Sequence, residues 1–173
     1  WLKSNINEVN SEIIKYGERN VDSSGLGTTV VVAILADEFL IFGNIGDSSG
    51  FVLKKGVLYQ VTKPHTLVNL LVAAGDLSPE EAEHHPKKNV LMRALGTSET
   101  AELDVFDVET SIDGILLCSD GLTNMLTKEQ IEKVLNDEEL DIEEKLIKLI
   151  RKSNARGGTD NISVAYLVRE SEE

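Results

Sequence analysis

The chain is 173 residues long and carries 17 Lys and Arg against 30 Asp and Glu, a formal net charge of −13 at neutral pH. That length suits one domain with a sizeable core, and 41% hydrophobic with 27% charged residues describes a globular chain and not a disordered one. The acidic excess repels phosphate backbones and excludes nucleic-acid binding through a basic face, and no apolar run reaches the roughly 18 residues of a membrane span.

The elements follow in chain order. Trp1 opens in the middle of an amphipathic pattern: Leu2, Ile6, Val9, Ile13 and Ile14 form one apolar stripe with no capping residue before it. The chain therefore reads as one cut upstream, with its first helix ending at Gly17. Residues 28–35 are nearly continuous and β-branched, which predicts a strand covered on both faces. Residues 39–45 predict a second buried strand, 51–53 a third after the Gly-Asp-Ser-Ser-Gly interruption at 46–50, and 57–61 a fourth after a hairpin turn at 54–56. Together these read as an antiparallel meander. Between Pro64 and about Leu95 the pattern turns helical, with Leu67, Val68, Leu71 and Val72 at helix spacing and Ser78-Pro79-Glu80-Glu81 as a capped helix start. Strands return at 104–108 and 114–118. Thr127 to Gln130 opens another helix, Asp141 caps a longer one ended by Gly157-Gly158, and 162–168 closes as a strand. Strand runs followed by helix runs argue for an α+β fold, a sheet sandwich flanked by helices.

Few of the usual chemical signatures are present. There is no Walker lysine motif, no Gly-x-Ser-x-Gly elbow and no Cys-x-x-Cys pair. The single cysteine, Cys118, cannot close an internal disulfide, which fits a reducing, cytoplasmic compartment, and no signal peptide is evident. A cysteine-dependent phosphatase would need an arginine six positions after its nucleophile, but position 124 is Asn, so Cys118 reads as core. What stands out is three aspartates at strand edges: Asp47 after 39–45, Asp120 after 115–118, and Asp160 before 162–168. Short carboxylates on rigid strand ends can converge, and oxygen-only ligands favour Mg²⁺ or Mn²⁺. Equally, Asp beside Gly or Ser is a common turn residue, and composition leaves both readings open.

At these positions the chain resembles the metal-dependent Ser/Thr phosphatases of the PP2C (PPM) family, especially short bacterial members. The resemblance rests on six ordered blocks across residues 25–168: Gly-Leu-Gly-Thr-Thr-Val (25–30), Asn-Ile-Gly-Asp-Ser (44–48), His-Thr-Leu-Val-Asn (65–69), His-Pro-Lys-Lys-Asn-Val-Leu-Met-Arg-Ala-Leu-Gly (85–96), Leu-Leu-Cys-Ser-Asp-Gly-Leu-Thr (116–123) and Gly-Gly-Thr-Asp-Asn-Ile-Ser-Val (157–164). It implies an α/β/β/α sandwich over residues 1–173, with a flap at about 64–95 holding His65, His84 and His85. It also implies hydrolysis of phosphoserine and phosphothreonine on proteins by a water bridging two Mn²⁺ or Mg²⁺ ions. Asp120 and Asp160 would be the catalytic metal ligands, with Asp120 shared among metals. Asp47 would join Asp120 in holding a third, weaker ion, and Asn161 would support its loop by hydrogen bonding. Phosphoproteins made by a cognate Ser/Thr kinase are the implied partners.

The departures from the family are also informative. The N-terminal arginine and the Asp-Gly-x-Gly-Gly-His segment have no counterpart in these residues, Ser49 stands where arginine is usual, and Pro64 stands where aspartate usually precedes the flap histidine. These 173 residues taken alone are thus expected to show little or no turnover. The alternative is an incomplete fragment or pseudophosphatase acting as an interaction module, a reading that the retention of Asp47, Asp120 and Asp160 opposes.

Overall fold

The computed structural model describes residues 1–36 and 39–169. In chain order the helices and strands are α1 (Leu2–Arg19), β1 (Val30–Ala36), β2 (Phe39–Ile45), β3 (Ser49–Lys54), β4 (Val57–Gln60), α2 (Leu67–Ala74), α3 (Pro79–His84), β5 (Asp104–Val108), β6 (Gly114–Cys118), α4 (Asp120–Thr123), α5 (Lys128–Leu135), α6 (Ile142–Ala155) and β7 (Val164–Val168). The strands form two sheets, ordered β1-β2-β5 and β4-β3-β6-β7. This is the α+β class expected, two sheets flanked by helices. One expectation fails: β2 and β3 do not continue a single meander but belong to different sheets. The Gly46–Ser48 bend is where the chain changes sheet, and Gly46 makes that possible with φ +105, a value that a Cβ disfavours. Two further differences are local: α1 runs two residues past Gly17, and Val9 is exposed, outside the buried stripe.

The chain divides into two compact units. Unit 1 comprises residues 1–31, 43–47 and 63–105; unit 2 comprises 32–42, 48–62 and 106–173.

In unit 1, Leu2, Ile6 and Ile13 of α1 pack on Val30, Ile45, Leu95, Ala101 and Leu103. Two asparagines on that same helix face lock the packing. The Asn10 side chain, fully buried, accepts from the Gly96 N–H at 2.7 Å and donates to the Ser98 carbonyl at 2.9 Å. The Asn7 side chain accepts from the Ala101 N–H at 2.9 Å. Buried amides satisfied this way avoid the penalty of orphaned polar groups and fix the 96–101 segment against the helix. The predicted cap of α3 is present: Ser78 Oγ accepts from the Glu81 N–H at 3.2 Å while Glu81 accepts from the Ser78 N–H at 2.9 Å.

Unit 2 is layered around β6, an interior strand of the four-stranded sheet, in which every pairing is antiparallel. Side chains alternate along it with the period of two that a strand imposes. Ile115 and Leu117 face Leu40, Phe42, Phe106 and Val108 of the other sheet, whereas Leu116 and Cys118 face the helices through Leu122, Ile131, Val134, Leu135 and Leu149. Asp141 caps α6, its carboxylate accepting from the Glu144 N–H at 2.8 Å.

Candidate active site

The register of the four-stranded sheet assembles the site. Cys118, the last residue of β6, pairs with Val164, the first residue of β7, and the ladder extends one step further through the Ser119 N–H to the Ser163 carbonyl at 3.0 Å. Asp120 therefore follows the end of β6 just where Asp160 precedes the start of β7. Antiparallel pairing turns a separation of 40 positions into neighbouring places.

A clamp holds the two segments together. Ser119 Oγ donates to the Asn161 carbonyl at 3.1 Å and accepts from the Ser163 N–H at 3.0 Å. Gly121 abuts the same backbone, since a Cβ there would run into the Asn161 carbonyl oxygen and lie 3.0 Å from its carbon. Asn161 joins this clamp through its backbone, its N–H also donating to Asp160 Oδ1 at 2.7 Å.

Asp120 begins α4, a short helix absent from the sequence expectation, and Asn124 one turn later donates from Nδ2 to Asp120 Oδ2 at 3.0 Å. Burial raises the Asp120 carboxyl above its usual range, and the like charge of Asp160 raises it further; hydrogen bonds from the Gly121 N–H and from Asn124 oppose both. Two carboxylates that repel each other, each fixed by a local donor, suit a hard divalent cation. Such ions take oxygen ligands and cancel the repulsion, and a carboxylate with one oxygen engaged still has acceptor sites to offer. The donor set thus fits Mg²⁺ or Mn²⁺. Among the described residues no group of three or more His, Cys, Asp or Glu side chains forms a ready metal cluster.

Asp47 lies in unit 1 on the bend after β2, half-buried. The expected flap, about 64–95, falls in unit 1 and carries α2 and α3. His84 ends α3, while His85 lies past it and accepts from the Lys87 N–H at 3.1 Å through Nδ1. His65 is engaged elsewhere: Nδ1 accepts from the Gly46 N–H at 3.1 Å, and Nε2 lies 3.0 Å from Asp104 Oδ2. Arg93 donates to Asp104 Oδ1 at 2.9 Å. Burial works to raise the Asp104 carboxyl, but the hydrogen bond from His65, then hydrogen bonding and charge from Arg93, outweigh it and hold the group below its usual range. Sequence reading placed His65 only in the flap and gave no role to its partners Asp104 and Arg93, nor to Asn124 and Ser119. Asn124 had a findable signal, an amide four positions after an acid at a helix start.

Cys118 is core, as expected. Burial pushes its thiol up to about 12, and the charge of Asp120 adds to the rise despite an opposing hydrogen bond from the Ser49 backbone. A thiol so placed has almost no thiolate near neutral pH. Iodoacetamide is expected to leave native Cys118 unmodified by intact mass and turnover unchanged; rapid alkylation of the folded protein would contradict this placement. Two grooves of unit 2, about 570 and 500 Å³, are lined by Asp113, Tyr166 and Arg169 and by Gly114, Leu167 and Arg169 respectively. Neither of these two grooves is lined by Asp120 or Asp160.

Comparison with known proteins agrees. The family model "Protein phosphatase 2C" matches residues 1–162. The chain is 45% identical over 172 residues to the serine/threonine phosphatase stp of Listeria monocytogenes, covering 98% of this chain and 68% of that one. The crystal structure of Stp1 from Staphylococcus aureus superposes with a TM-score of 0.93 at 31% identity, over 99% of this chain and 67% of that one. The catalytic domain of the phosphatase PstP, solved with two manganese ions, matches with a TM-score of 0.80 at 34% identity, over 94% and 67% of the respective chains. With its paired acids on a clamped strand end and a family match over nearly its whole length, the chain belongs to the protein phosphatase 2C family.

Proposed function

We infer that this protein is a metal-dependent protein phosphatase that hydrolyses phosphoserine and phosphothreonine. The observation that carries the reading is the Asp120–Asp160 pair, two mutually repelling carboxylates fixed at adjoining strand ends in a chain of this family. Identity of 45% to a serine/threonine phosphatase favours the enzyme over an interaction module.

When bound, divalent cations supply the charge that offsets the phosphoryl oxygens and activate the attacking water. The chain's own contribution is positional. Asp120 and Asp160 are assigned as ligands of the catalytic pair of Mn²⁺ or Mg²⁺ ions, and Asp47 as a ligand of a third, weaker one. Asn124 sets the plane of the Asp120 carboxylate, and the Ser119 clamp sets the spacing of the acids. Residues 64–95 are assigned as the flap of one phosphatase domain spanning 1–173. Phosphoproteins are the substrates, and a cognate Ser/Thr kinase is the enzyme that would make them. No helix among the described residues is long and apolar enough to cross a membrane. A cytoplasmic site of action is proposed from the lone buried cysteine and the acidic composition.

The test is phosphate release from phosphoserine and phosphothreonine peptides by these residues joined to a family N-terminal segment that carries the arginine and the Asp-Gly-x-Gly-Gly-His motif they lack. Release should stop in EDTA and return with Mn²⁺ or Mg²⁺. Thermal stabilisation by Mn²⁺ with no release from any phosphopeptide would identify a binding module instead.

A further inference from the structure

The His65–Asp104–Arg93 trio of unit 1 is more elaborate than a flap anchor requires. The His65 side chain is only 7% exposed, and all its polar groups are engaged. Its N–H donates to the Gly46 carbonyl at 2.8 Å, its carbonyl accepts from the Met92 N–H at 2.8 Å, and Nδ1 accepts from the Gly46 N–H at 3.1 Å. Since the Gly46 N–H can only donate, Nδ1 must be the bare nitrogen, and the ring proton sits on Nε2, where it donates to Asp104 Oδ2. Arg93 cannot then donate to Nε2 as well, so its 3.5 Å approach is a by-product of its bond to Asp104 Oδ1. The donors converge on Asp104: Arg93 donates to Oδ1 and the His65 Nε2–H to Oδ2, which fixes the tautomer and ring plane and leaves Nδ1 to accept from the Gly46 N–H.

The residue so held is Gly46, immediately before Asp47. Its carbonyl also accepts from Asn44 Nδ2 at 3.2 Å, and its left-handed φ leaves the missing Cβ position only 2.5 Å from Thr29 Cβ. Gly46 is thereby fixed at N–H, at C=O and by packing, far more firmly than a surface bend needs.

We propose that His65 is a positioning residue for Asp47: oriented by Asp104, its imidazole holds Gly46 and so sets how Asp47 presents its carboxylate to a divalent cation. The inference rests on the assignment of Asp47 as a ligand of the third ion. It follows the general pattern in which a carboxylate orients an imidazole that in turn orients a metal site, here with one peptide group interposed.

The experiment uses two near-isosteric variants that separate the ring nitrogens. In His65→Asn the amide oxygen can take the place of Nδ1 and keep the Gly46 N–H; in His65→Gln the longer side chain reaches toward Asp104 and gives up the Gly46 contact. Mn²⁺ binding is measured by EPR of the free ion and by calorimetry, alongside Asp47→Asn and the His65→Gln/Asp47→Asn double variant. Expected results are Asn close to wild type, Gln weakened about tenfold or more at the weakest Mn²⁺ site, and a double variant no weaker than Asp47→Asn alone. The ¹⁵N imidazole spectrum of the metal-free protein should show the Nε2–H tautomer. Equal binding by Asn and Gln variants, or a Gln deficit that persists undiminished in the Asp47→Asn background, overturns the proposal. If Asp47→Asn itself leaves Mn²⁺ binding unchanged, the assignment of Asp47 fails, and the proposal with it. Should His65→Gln not fold, Asp104→Leu, which removes the orienting partner and leaves Nδ1 in place, is read against the same cycle: weakening confined to the Asp47 background supports the proposal, and weakening independent of Asp47 overturns it.

Discussion

In an intact phosphatase that supplies the N-terminal segment these residues lack, Asp120→Asn is expected to cut metal-dependent turnover by two orders of magnitude or more, equivalent to about 3 kcal/mol of transition-state stabilisation, while leaving the metal-free protein at least as stable as wild type. The two halves of this expectation have one cause. Burial and the Asp160 charge both disfavour an ionised Asp120, raising its carboxyl. A raised carboxyl binds its proton more tightly in the folded than in the unfolded chain. In the metal-free protein, stability therefore falls as pH rises from the ordinary carboxylate range through the raised value, and a penalty persists at neutral pH. A neutral amide removes that penalty, and its oxygen can still accept from Asn124. The stability gap between variant and wild type should accordingly close as pH falls, because both side chains are then uncharged. A cation cancels the penalty in wild type alone, so Mn²⁺ should raise the wild-type melting temperature and move that of the variant much less. Melting curves in EDTA and in Mn²⁺ across pH 4–8, with phosphopeptide turnover, check every part. A variant that turns over normally would remove Asp120 from the metal site. One that melts lower in EDTA at neutral pH would show that the carboxylate was not under repulsion.

Much of this was legible from the chain itself, because the signals were local. Ser78 and Asp141 announce helix starts since a cap is satisfied within three residues. The unbroken apolar run along 114–118 announces a strand, and Asp120 and Asp160 are conspicuous for sitting at the edges of apolar runs. Other features depend on partners far away in sequence. Asn7 and Asn10 lie on the same face of α1 as its apolar stripe, and their role becomes visible only when residues 96–101, more than 80 positions away, arrive to bond them. The same holds for His65, whose partners stand 19 and 39 positions off. The change of sheet at Gly46–Ser48 was missed for a related reason. A bend between two apolar strands has one composition whether the strands pair with each other or with others, and pairing is decided by the whole sheet. The helix α4 spans only 4 residues, too short for a periodic signal.

Gly121→Ala is expected to cost about 1–3 kcal/mol of stability, the range for overpacking a well-filled site, yet to reduce turnover by about a hundredfold, more than the stability loss explains at temperatures where the variant is folded. Gly121 follows Asp120 in the first turn of α4, where alanine would ordinarily be the better helix former. The obstacle is tertiary. The new methyl would collide with the Asn161 carbonyl oxygen, which is backbone and cannot rotate away, and would also press on Ile162 at 3.2 Å. Relief requires the 160–163 segment to move off α4. That segment is bonded to Ser119 by three contacts of 3.0–3.1 Å, so the displacement must stretch the clamp that spaces the two acids. Asp160 adjoins the displaced peptide and moves with it, since its Oδ1 accepts from the Asn161 N–H. Losing registry between Asp120 and Asp160 should weaken Mn²⁺ binding, whereas Asp120→Asn removes a ligand outright. The two variants are therefore distinguishable: excess Mn²⁺ should restore part of the activity of Gly121→Ala and little of that of Asp120→Asn. A Gly121→Ala protein with wild-type Mn²⁺ affinity and turnover would show that the close approach at Asn161 is absorbed elsewhere and that the clamp does not set the spacing of the acids.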